Sequence, residues 1–371
     1  MSLGHLVRRS VPVGLAACAL SAYVSISAAS ASTQRVGAKP TSTAALGTPA
    51  QQRAMESLYD SAIKVGRTSV VIYGPGVAGD QPFFNAFHDE FPDIKVISQN
   101  LEGPELTTRL DAEKSSGKHV ADFLLNGDTP EFQLAGEGYC ATEAPIYDVP
   151  SKWRHANGEV FDNSVALFAE AYNTKELTAA QAPASWQALL APKWKGKVAL
   201  DDPKLGEVSA YTFVQMLNEY QAPTYGTAFL KKLAKQDLQF STGAQAVAEV
   251  ADGQYPVAIL VYSGDYLAAK VKGAPIRYKL FTSANQWSGN ANCVLPTAPD
   301  KAAAQLYLNW LFSPQGQRLG AAQGQFGVMP GAPDPTGLGQ LPPLNKISLL
   351  RLLPPKQQVS FFSKEDGTML K

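Results

Sequence analysis

Residues 299–317 read PDKAAAQLYLNWLFSPQGQ, and this stretch indicates more about the fold than any other. Its apolar residues recur at helical spacing from Ala302 to Phe312, which predicts a strong amphipathic helix. This helix comes late in a chain whose body, from Met55 onward, alternates predicted helices and strands.

The alternation falls into two blocks. The first predicts a helix around 55–63, strand 69–73, a helix carrying Phe83 to Phe91, strand 93–98, helix 106–114 and strand 120–125. The second predicts strand 197–200, helices 209–220 and 226–235, strand 238–241, helix 243–252 and strand 255–262. Extended segments at 165–172 and 289–295 follow the first and second blocks. The βαβαβ order predicts a parallel sheet with helices on both faces.

The N-terminus has the three parts of an export signal. Arg8 and Arg9 are followed by the apolar run Val11–Ile26 and by Ala29-Ser30-Ala31, an A-x-A cleavage site that makes Ser32 the first mature residue. Two alternatives remain open: Leu15-Ala16-Ala17-Cys18 has the form of a lipobox in which Cys18 is acylated, and the arginine pair has the form of a twin-arginine signal. Each of these predicts a periplasmic or cell-surface protein.

Charge and size limit the function further. The chain has 32 basic and 32 acidic side chains, and loss of Arg8 and Arg9 leaves the mature protein near −2. Because no long basic run occurs, nucleic acid or an anionic membrane is not the expected main partner. The 340 residues after position 31 suit two domains, preceded by a flexible leader at 32–50.

Two cysteines, Cys140 and Cys293, remain after either cleavage. An exported chain enters an oxidising compartment, which favours a disulfide, with two buried free thiols as the alternative. A metal site would need more ligands than these two side chains supply.

Residues 74–79, GPGVAG, match the dinucleotide fingerprint G-x-G-x-x-G between a strand and a helix. Pro82 suits the first helical turn with Asp80 as N-cap, so the helix begins after Gly79, whereas the fingerprint needs its third glycine inside that turn. The next strand ends in Gln99-Asn100 rather than in the acid that would bind a ribose. We therefore interpret the segment as a loop whose N–H groups face a cleft and hold an anion or a polar ligand.

Signatures of catalysis are sparse. The four histidines are scattered, and the chain has no His-Glu-x-x-His, Gly-x-Ser-x-Gly or Walker-type motif. Acid pairs such as Asp201-Asp202 are expected by chance among 32 acids. The sequence thus favours binding over catalysis, and no cofactor is expected.

A series of phrases resembles the solute-binding proteins of ABC importers, in the branch that contains the ferric-iron, phosphonate and thiamine binders. The phrases occur in the family's order over nearly the whole mature chain: LYD at 58–60, FPDIKV at 91–96, SGKHVAD at 116–122, YNTK at 172–175, WKGKVAL at 194–200, Asp202-Pro203, GAPI at 273–276 and SPQGQ at 313–317.

The resemblance implies the type 2 periplasmic-binding-protein fold: two α/β lobes, each a mostly parallel sheet flanked by helices, joined by a hinge of crossing strands. Crossings are expected near Val165–Ala169 and Ala291–Leu295, and a Cys140–Cys293 disulfide near the hinge follows from them. The expected divisions are signal 1–31, leader 32–50, lobe one 51–164, lobe two 165–290, a return to lobe one at 291–325, and a C-terminal segment 326–371 that packs back on lobe two.

In this family ligand binds between the lobes, and a hinge motion closes them around it. The resemblance places the cleft at strand C-termini and helix N-termini. The ligand-binding residues predicted on this basis are Gly74, Gly76, Glu105, Asn126, Asp128, Tyr172, Ser209, Tyr211, Tyr262, Ser263 and Tyr266.

The ligand class depends on the strand that ends at Tyr262. Iron binders of this family carry two adjacent tyrosines there, whereas this chain has Tyr262 and Tyr266, four residues apart. Hydroxyl and N–H donors at helix starts favour an oxyanion such as a phosphonate, a phosphate ester or a carboxylate, and nearby acids suit a cationic group on the same molecule. Ferric iron, held by Tyr262 and Tyr266, is the alternative.

The function implied by the resemblance is a monomeric, non-enzymatic binding protein that delivers its solute to ABC permease subunits. An exported nucleotide-cofactor enzyme that uses the 74–79 loop is the alternative of another class. A two-lobed sensor domain that feeds a receptor is a third interpretation.

Overall fold

The computed structural model describes residues 43–75, 77, 79–101, 103–203, 208–218, 225–344 and 348–349. All of them belong to one compact unit, Gly37–Lys371. The export signal, the lipobox and most of the predicted leader lie outside the described residues, as do Gly76 and Glu102.

Helices and strands alternate along the described chain. The α-helices are α1 Pro49–Val65, α2 Gln81–Glu90, α3 Gly103–Ser116, α4 Asp128–Gly136, α5 Val208–Asn218, α6 Thr227–Ala234, α7 Gly243–Ala251, α8 Ser263–Val271, α9 Lys301–Phe312 and α10 Pro314–Ala322. The strands are β1 Ser69–Gly74, β2 Lys95–Asn100, β3 Phe123–Gly127, β4 Arg154–His155, β5 Val160–Asn173, β6 Val198–Asp201, β7 Gln239–Ser241, β8 Val257–Tyr262, β9 Ile276–Lys279, β10 Gln286–Val294, β11 Phe326–Gly327 and β12 Ser348–Leu349. Short 3₁₀ turns occupy Thr43–Leu46, Ser151–Trp153, Ala156–Gly158, Gln187–Leu190 and Pro192–Trp194.

The described strands form one mixed sheet in the order β2-β1-β3-β10-β5-β8-β6-β7, and the remaining strands pair with β5 or β10. β1 is parallel to β2 and β3, and β6 is parallel to β7 and β8. β5 and β10 are antiparallel to each other and separate these two parallel groups. The parallel pairing predicted from the βαβαβ order is therefore confirmed within each group, and the long connecting strands between the groups are antiparallel to their neighbours in this order.

β5 is the longest of the described strands, and it contacts both parts of the sheet. Leu167 pairs with Trp287 of β10, while Phe168 pairs with Tyr262 of β8. The first predicted crossing, Val165–Ala169, lies in this strand, and the second overlaps the end of β10. The fold is that of type 2 periplasmic binding proteins, and the lobe boundaries stay predictions.

Helix α9 is the predicted helix, but it is not amphipathic. From Ala303 to Phe312 every residue except Gln305 is buried. The ring of Tyr307 stacks on Trp310 at 6.0 Å and meets Phe123 of β3 edge-on at 5.2 Å. Neighbouring elements cover this helix on nearly all sides, so its apolar residues occupy more than one face.

Two polar residues fix the ends of α9. The Asp300 carboxylate accepts the Ala303 N–H at 2.9 Å and so caps the helix start. Ser313 ends α9 and caps α10, because its hydroxyl accepts the Gly316 N–H at 3.1 Å. Asp80 is the N-cap residue of α2, as predicted, but its side chain makes no capping hydrogen bond.

The disulfide between Cys140 and Cys293 is present, with the two Cα atoms 5.5 Å apart. It joins the segment after α4 to β10 across 153 positions of sequence. Both cysteines are buried in an apolar cluster that also contains Leu124 and Val160. The predicted pairing is therefore confirmed.

Candidate functional site

The C-terminal ends of β1 and β3 approach each other at Gly74. A Cβ on Gly74 would lie 1.9 Å from the carbonyl oxygen of Leu125, so no side chain fits between the two strands there. Close backbone packing therefore accounts for this glycine without a ligand. Gly76, the second glycine predicted to bind, lies outside the described residues.

Asp80 follows the loop after β1, and its charge reaches Tyr262 at the end of β8. Burial raises the pKa of Asp80 to about 7. Its negative charge in turn raises the pKa of Tyr262, whose hydroxyl is already hard to ionise because it is buried. A carboxyl group that follows one parallel group of strands thus acts electrostatically on a phenol at the end of the other.

A chain of neutral hydrogen bonds runs from this tyrosine to the central strands. The Gln325 amide donates to the Tyr262 hydroxyl at 3.4 Å, and Ser164 of β5 donates to the Gln325 carbonyl oxygen at 2.8 Å. The Asn290 amide of β10 donates to the Ser164 hydroxyl at 2.7 Å. β5, β8 and β10 therefore share one continuous polar path.

Helix α8 begins at Ser263, directly after Tyr262. The rings of Tyr262 and Tyr266 nevertheless have different partners: Tyr262 packs on Phe168 at 5.9 Å, and Tyr266 packs on Tyr278 at 5.0 Å. Ser263 is buried, and its hydroxyl accepts the Leu167 N–H at 3.4 Å.

Asn126 and Asp128 lie where β3 leads into α4, and both are buried. The Asn126 amide donates to Glu131 at 2.9 Å, and the Asp128 carboxyl accepts the Gly289 N–H at 3.0 Å. Glu131 also lies within 4.8 Å of both disulfide sulfurs. Oxidised cysteines offer no thiolate, so this group is not a metal centre in the disulfide form.

The other predicted residues are spread over the molecule. Ser209 is fully buried at the start of α5, where its N–H and hydroxyl both donate to the Asp201 carboxylate, at 2.9 and 2.6 Å. Tyr211 lies two residues further along and is half-buried. Tyr172 pairs with Val257, at the opposite end of β8 from Tyr262, and is part of an apolar core. Glu105 is exposed on α3.

The structure therefore brings Tyr262 and Ser263 together at the start of α8, where the charge of Asp80 acts on Tyr262, and it brings Asn126 and Asp128 together beside β10. Sequence reasoning did not single out Asp80 as a candidate site residue, nor Ser164, Asn290 and Gln325. One signal was available for part of this set: Asp162-Asn163-Ser164 and Asn290 with Asn292 are polar residues inside otherwise apolar crossing strands. Polar groups buried in a sheet need partners, so they mark places where side chains converge.

Comparison with known proteins identifies the family of the chain. The family model described as bacterial extracellular solute-binding protein matches residues 83–342, which is more than two thirds of the chain. The chain belongs to this family. The match confirms the resemblance found in the ordered phrases of the sequence, and it gives this bacterial extracellular solute-binding protein a binding role.

Solved structures share the fold. The substrate binding protein of an ABC transporter from Agrobacterium tumefaciens has a TM-score of 0.68 at 16% identity, covering 82% of this chain and 94% of that one. Iron-bound HitA from Pseudomonas aeruginosa has a TM-score of 0.63 at 20% identity, and the match covers 79% of this chain and 95% of HitA. AfuA from Actinobacillus pleuropneumoniae, with fructose-6-phosphate bound, has a TM-score of 0.60 at 21% identity, and the match covers 82% of this chain and 97% of AfuA.

A curated protein of Haemophilus influenzae, described as an uncharacterized protein, is 28% identical over 149 residues. The aligned part spans 39% of this chain and 41% of that relative, less than half of either. Within the described residues, no helix is both long enough and apolar enough to cross a membrane.

Proposed function

We propose that this protein is the solute-binding component of an ABC importer. It captures a small polar solute between its lobes, outside the cytoplasm, and delivers it to permease subunits. The family match and the fold shared with a substrate binding protein of an ABC transporter support this role. It acts as a monomer, in the periplasm or at the cell surface.

We assign the ligand site to the region of Asp80 and Tyr262, and the polar path that ends at the Tyr262 hydroxyl is the observation that carries the proposal. The charge of Asp80 acts on the same hydroxyl. The site is made by residues from the two parallel groups of strands. β5 and β10 connect those groups, so a change in their relative position would open or close the space between Asp80 and Tyr262. The polar path through Gln325, Ser164 and Asn290 forms the floor of this site.

The solute is a zwitterion that carries an oxyanion and a cationic group, with an aminoalkylphosphonate as the representative. An ammonium group beside Asp80 would stabilise the ionised carboxylate, which burial otherwise disfavours. The N-terminus of α8, directly after Tyr262, offers the partial positive charge that an oxyanion needs. Ser209 is a poor candidate for the same task, because Asp201 already accepts from both of its donors.

Ferric iron is the second candidate, since phenolate and carboxylate oxygens are hard donors and Tyr262 lies near Asp80. Two observations weigh against a site made of Tyr262 and Tyr266. Tyr266 packs on Tyr278, and burial raises the pKa of both Tyr262 and Tyr266. A nucleotide-cofactor enzyme has less support, because α2 begins at Gln81 and leaves Gly79 outside its first turn.

A thermal-shift screen of the purified protein tests the proposal. The panel contains aminoethylphosphonate, glycerol phosphates, simple carboxylates, polyamines, thiamine, ferric citrate and NAD. A ligand that binds only the folded form raises the melting temperature by mass action. We expect aminoethylphosphonate to give a larger shift than a phosphate ester or a polyamine, each of which has one of the two charges.

Variants locate the site. Tyr262→Phe and Asp80→Asn should each reduce the shift strongly, whereas Tyr255→Phe, before the other end of β8, should leave it unchanged. A shift with ferric citrate that both site variants abolish would favour iron instead. A shift with NAD alone would overturn the binding-protein interpretation and restore the loop at 74–79 as a cofactor site.

A further inference from the structure

Two buried carboxyl groups meet where the connecting strands pass the start of α4. Asp128 is the first residue of α4 and is 2% exposed, and Asp162 lies in β5 and is 1% exposed. A Cβ on Gly289 of β10 would lie 2.2 Å from Asp128 Oδ1 and 2.6 Å from Asp162 Oδ1, so the two oxygens crowd the same point. If both carboxyl groups were ionised, their oxygens around this point, out of water, would repel each other strongly.

The outer oxygens of the pair are occupied. Asp128 Oδ2 accepts the Gly289 N–H at 3.0 Å. Asp162 Oδ2 lies 2.8 Å from His155 Nε2, whose N–H donates to it in the matching tautomer. The inner oxygens, Asp128 Oδ1 and Asp162 Oδ1, are buried and have no donor among the described side chains and backbone groups. A carboxylate oxygen can only accept, so without a proton between them both stay unsatisfied.

We propose that Asp128 and Asp162 share one proton, and that this proton bridge ties α4, β5 and β10 together at the junction of the lobes. With the proton on Asp128 Oδ1, the group donates to Asp162 Oδ1, and every oxygen of the pair has a partner. The missing Cβ of Gly289 leaves the room in which the two carboxyls meet.

The surroundings of the pair favour this protonation state. Burial and the charge of Asp162 raise the pKa of Asp128 to about 8, while burial raises the pKa of Asp162 to about 6. Glu131 on α4 adds a third buried acid, whose pKa burial raises to about 8, and Asn126 of β3 donates to it. Burial lowers the pKa of His155 on β4, so the imidazole is neutral and supplies no full positive charge.

The bridge makes the stability of the molecule dependent on pH. The folded protein holds a proton at Asp128 that the unfolded chain releases near pH 4. The stabilising effect of this proton is therefore greatest in acid, and it is lost as the pH rises through the folded-state pKa near 8. Above that pH, two facing carboxylates would push β5 away from the start of α4.

Asp128→Asn isolates the effect, because the asparagine amide can donate to Asp162 Oδ1 while its oxygen still accepts the Gly289 N–H. The variant keeps the bridge without a titrating proton. Guanidinium unfolding of the purified protein at several pH values gives the number of protons taken up on folding, from the slope of stability against pH. We expect the variant to take up about one proton fewer on folding than the wild type between pH 5 and 7. Its melting temperature should also fall less than that of the wild type between pH 7 and 9.

Controls separate this from a general loss of structure. Asp128→Ala removes the bridge, so its melting temperature should fall below those of wild type and Asp128→Asn at pH 6. Asp252→Asn, an exposed acid at the end of α7, should follow the wild-type pH profile. Equal proton uptake in wild type and Asp128→Asn would overturn the proposal. So would a wild-type melting temperature that EDTA lowers and calcium or manganese restores, because a cation would then hold the pair.

Discussion

The disulfide allows a quantitative prediction about stability. Replacing both cysteines with alanine, as Cys140→Ala and Cys293→Ala together, removes a cross-link between positions 153 apart. For a loop of that length the chain-entropy relation gives about 5 kcal/mol of lost free energy of unfolding at 25 °C. Since domains are typically stable by about 5–15 kcal/mol, the loss would be a large part of the total.

Alanine suits this test because both sulfur atoms are buried, and serine would add unsatisfied hydroxyl groups. The measurement is guanidinium unfolding of the wild type with and without reductant, beside the double variant. Reductant should destabilise the wild type by a similar amount and leave the variant unchanged. A loss below about 1 kcal/mol would refute the entropic argument, and two free thiols in the unreduced exported protein would contradict the cross-link itself.

The other predictions concern the sheet, the core and one acid. Gly74→Ala should lower the free energy of unfolding by about 3 kcal/mol, because the new Cβ would overlap the Leu125 carbonyl. Gly136→Ala has open space around it and should change that free energy by less than about 1 kcal/mol. Equal stabilities of the two variants would contradict the packing argument. Trp310→Ala should cost about 4 kcal/mol in the same unfolding assay, and a loss below about 1 kcal/mol would show that the aromatic cluster is not rigid. Between pH 4 and 7 the folded wild type holds a proton on Asp80 that the unfolded chain has released, so Asp80→Asn should take up about one proton fewer on folding. Unchanged proton uptake would contradict the burial of the Asp80 carboxyl group.

The sequence predicted the order and type of the elements well, and their ends less well. The predicted strands 93–98 and 120–125 are Lys95–Asn100 and Phe123–Gly127 in the structure. Their ends follow from parallel pairing with β1, in which Gly74 pairs with Asn100 and Tyr73 with Leu124. Such pairing is a tertiary property that the apolar pattern of one segment does not contain.

The candidate site was harder to predict for a physical reason. Rules about strand ends and helix starts identify backbone positions, but they do not identify which side chains meet across the sheet. They led to Tyr262 and Ser263, and also to Tyr172, which is at the wrong end of its strand pair to meet them. The local context of Asp80 is that of a helix start and predicts a cap, and only the effect of its charge on Tyr262 of β8 indicates a second role.

The two acids near the junction also bear on the chemistry of the solute. Asp80 lies at the Tyr262 end of the polar path, and Asp128 lies beside Gly289, next to the Asn290 end. Burial raises the pKa of both carboxyl groups, so each tends to keep its proton. An anion that approached either end of the path would meet a neutral carboxyl group, whereas a cation would favour the ionised carboxylate and release the proton to solvent. Binding of an ammonium group beside Asp80 should therefore release a proton below pH 7, while binding of a simple oxyanion at the α8 N-terminus should not. The number of protons released on binding, measured by calorimetry in buffers of different ionisation enthalpy, thus reports which charge of the solute lies next to Asp80.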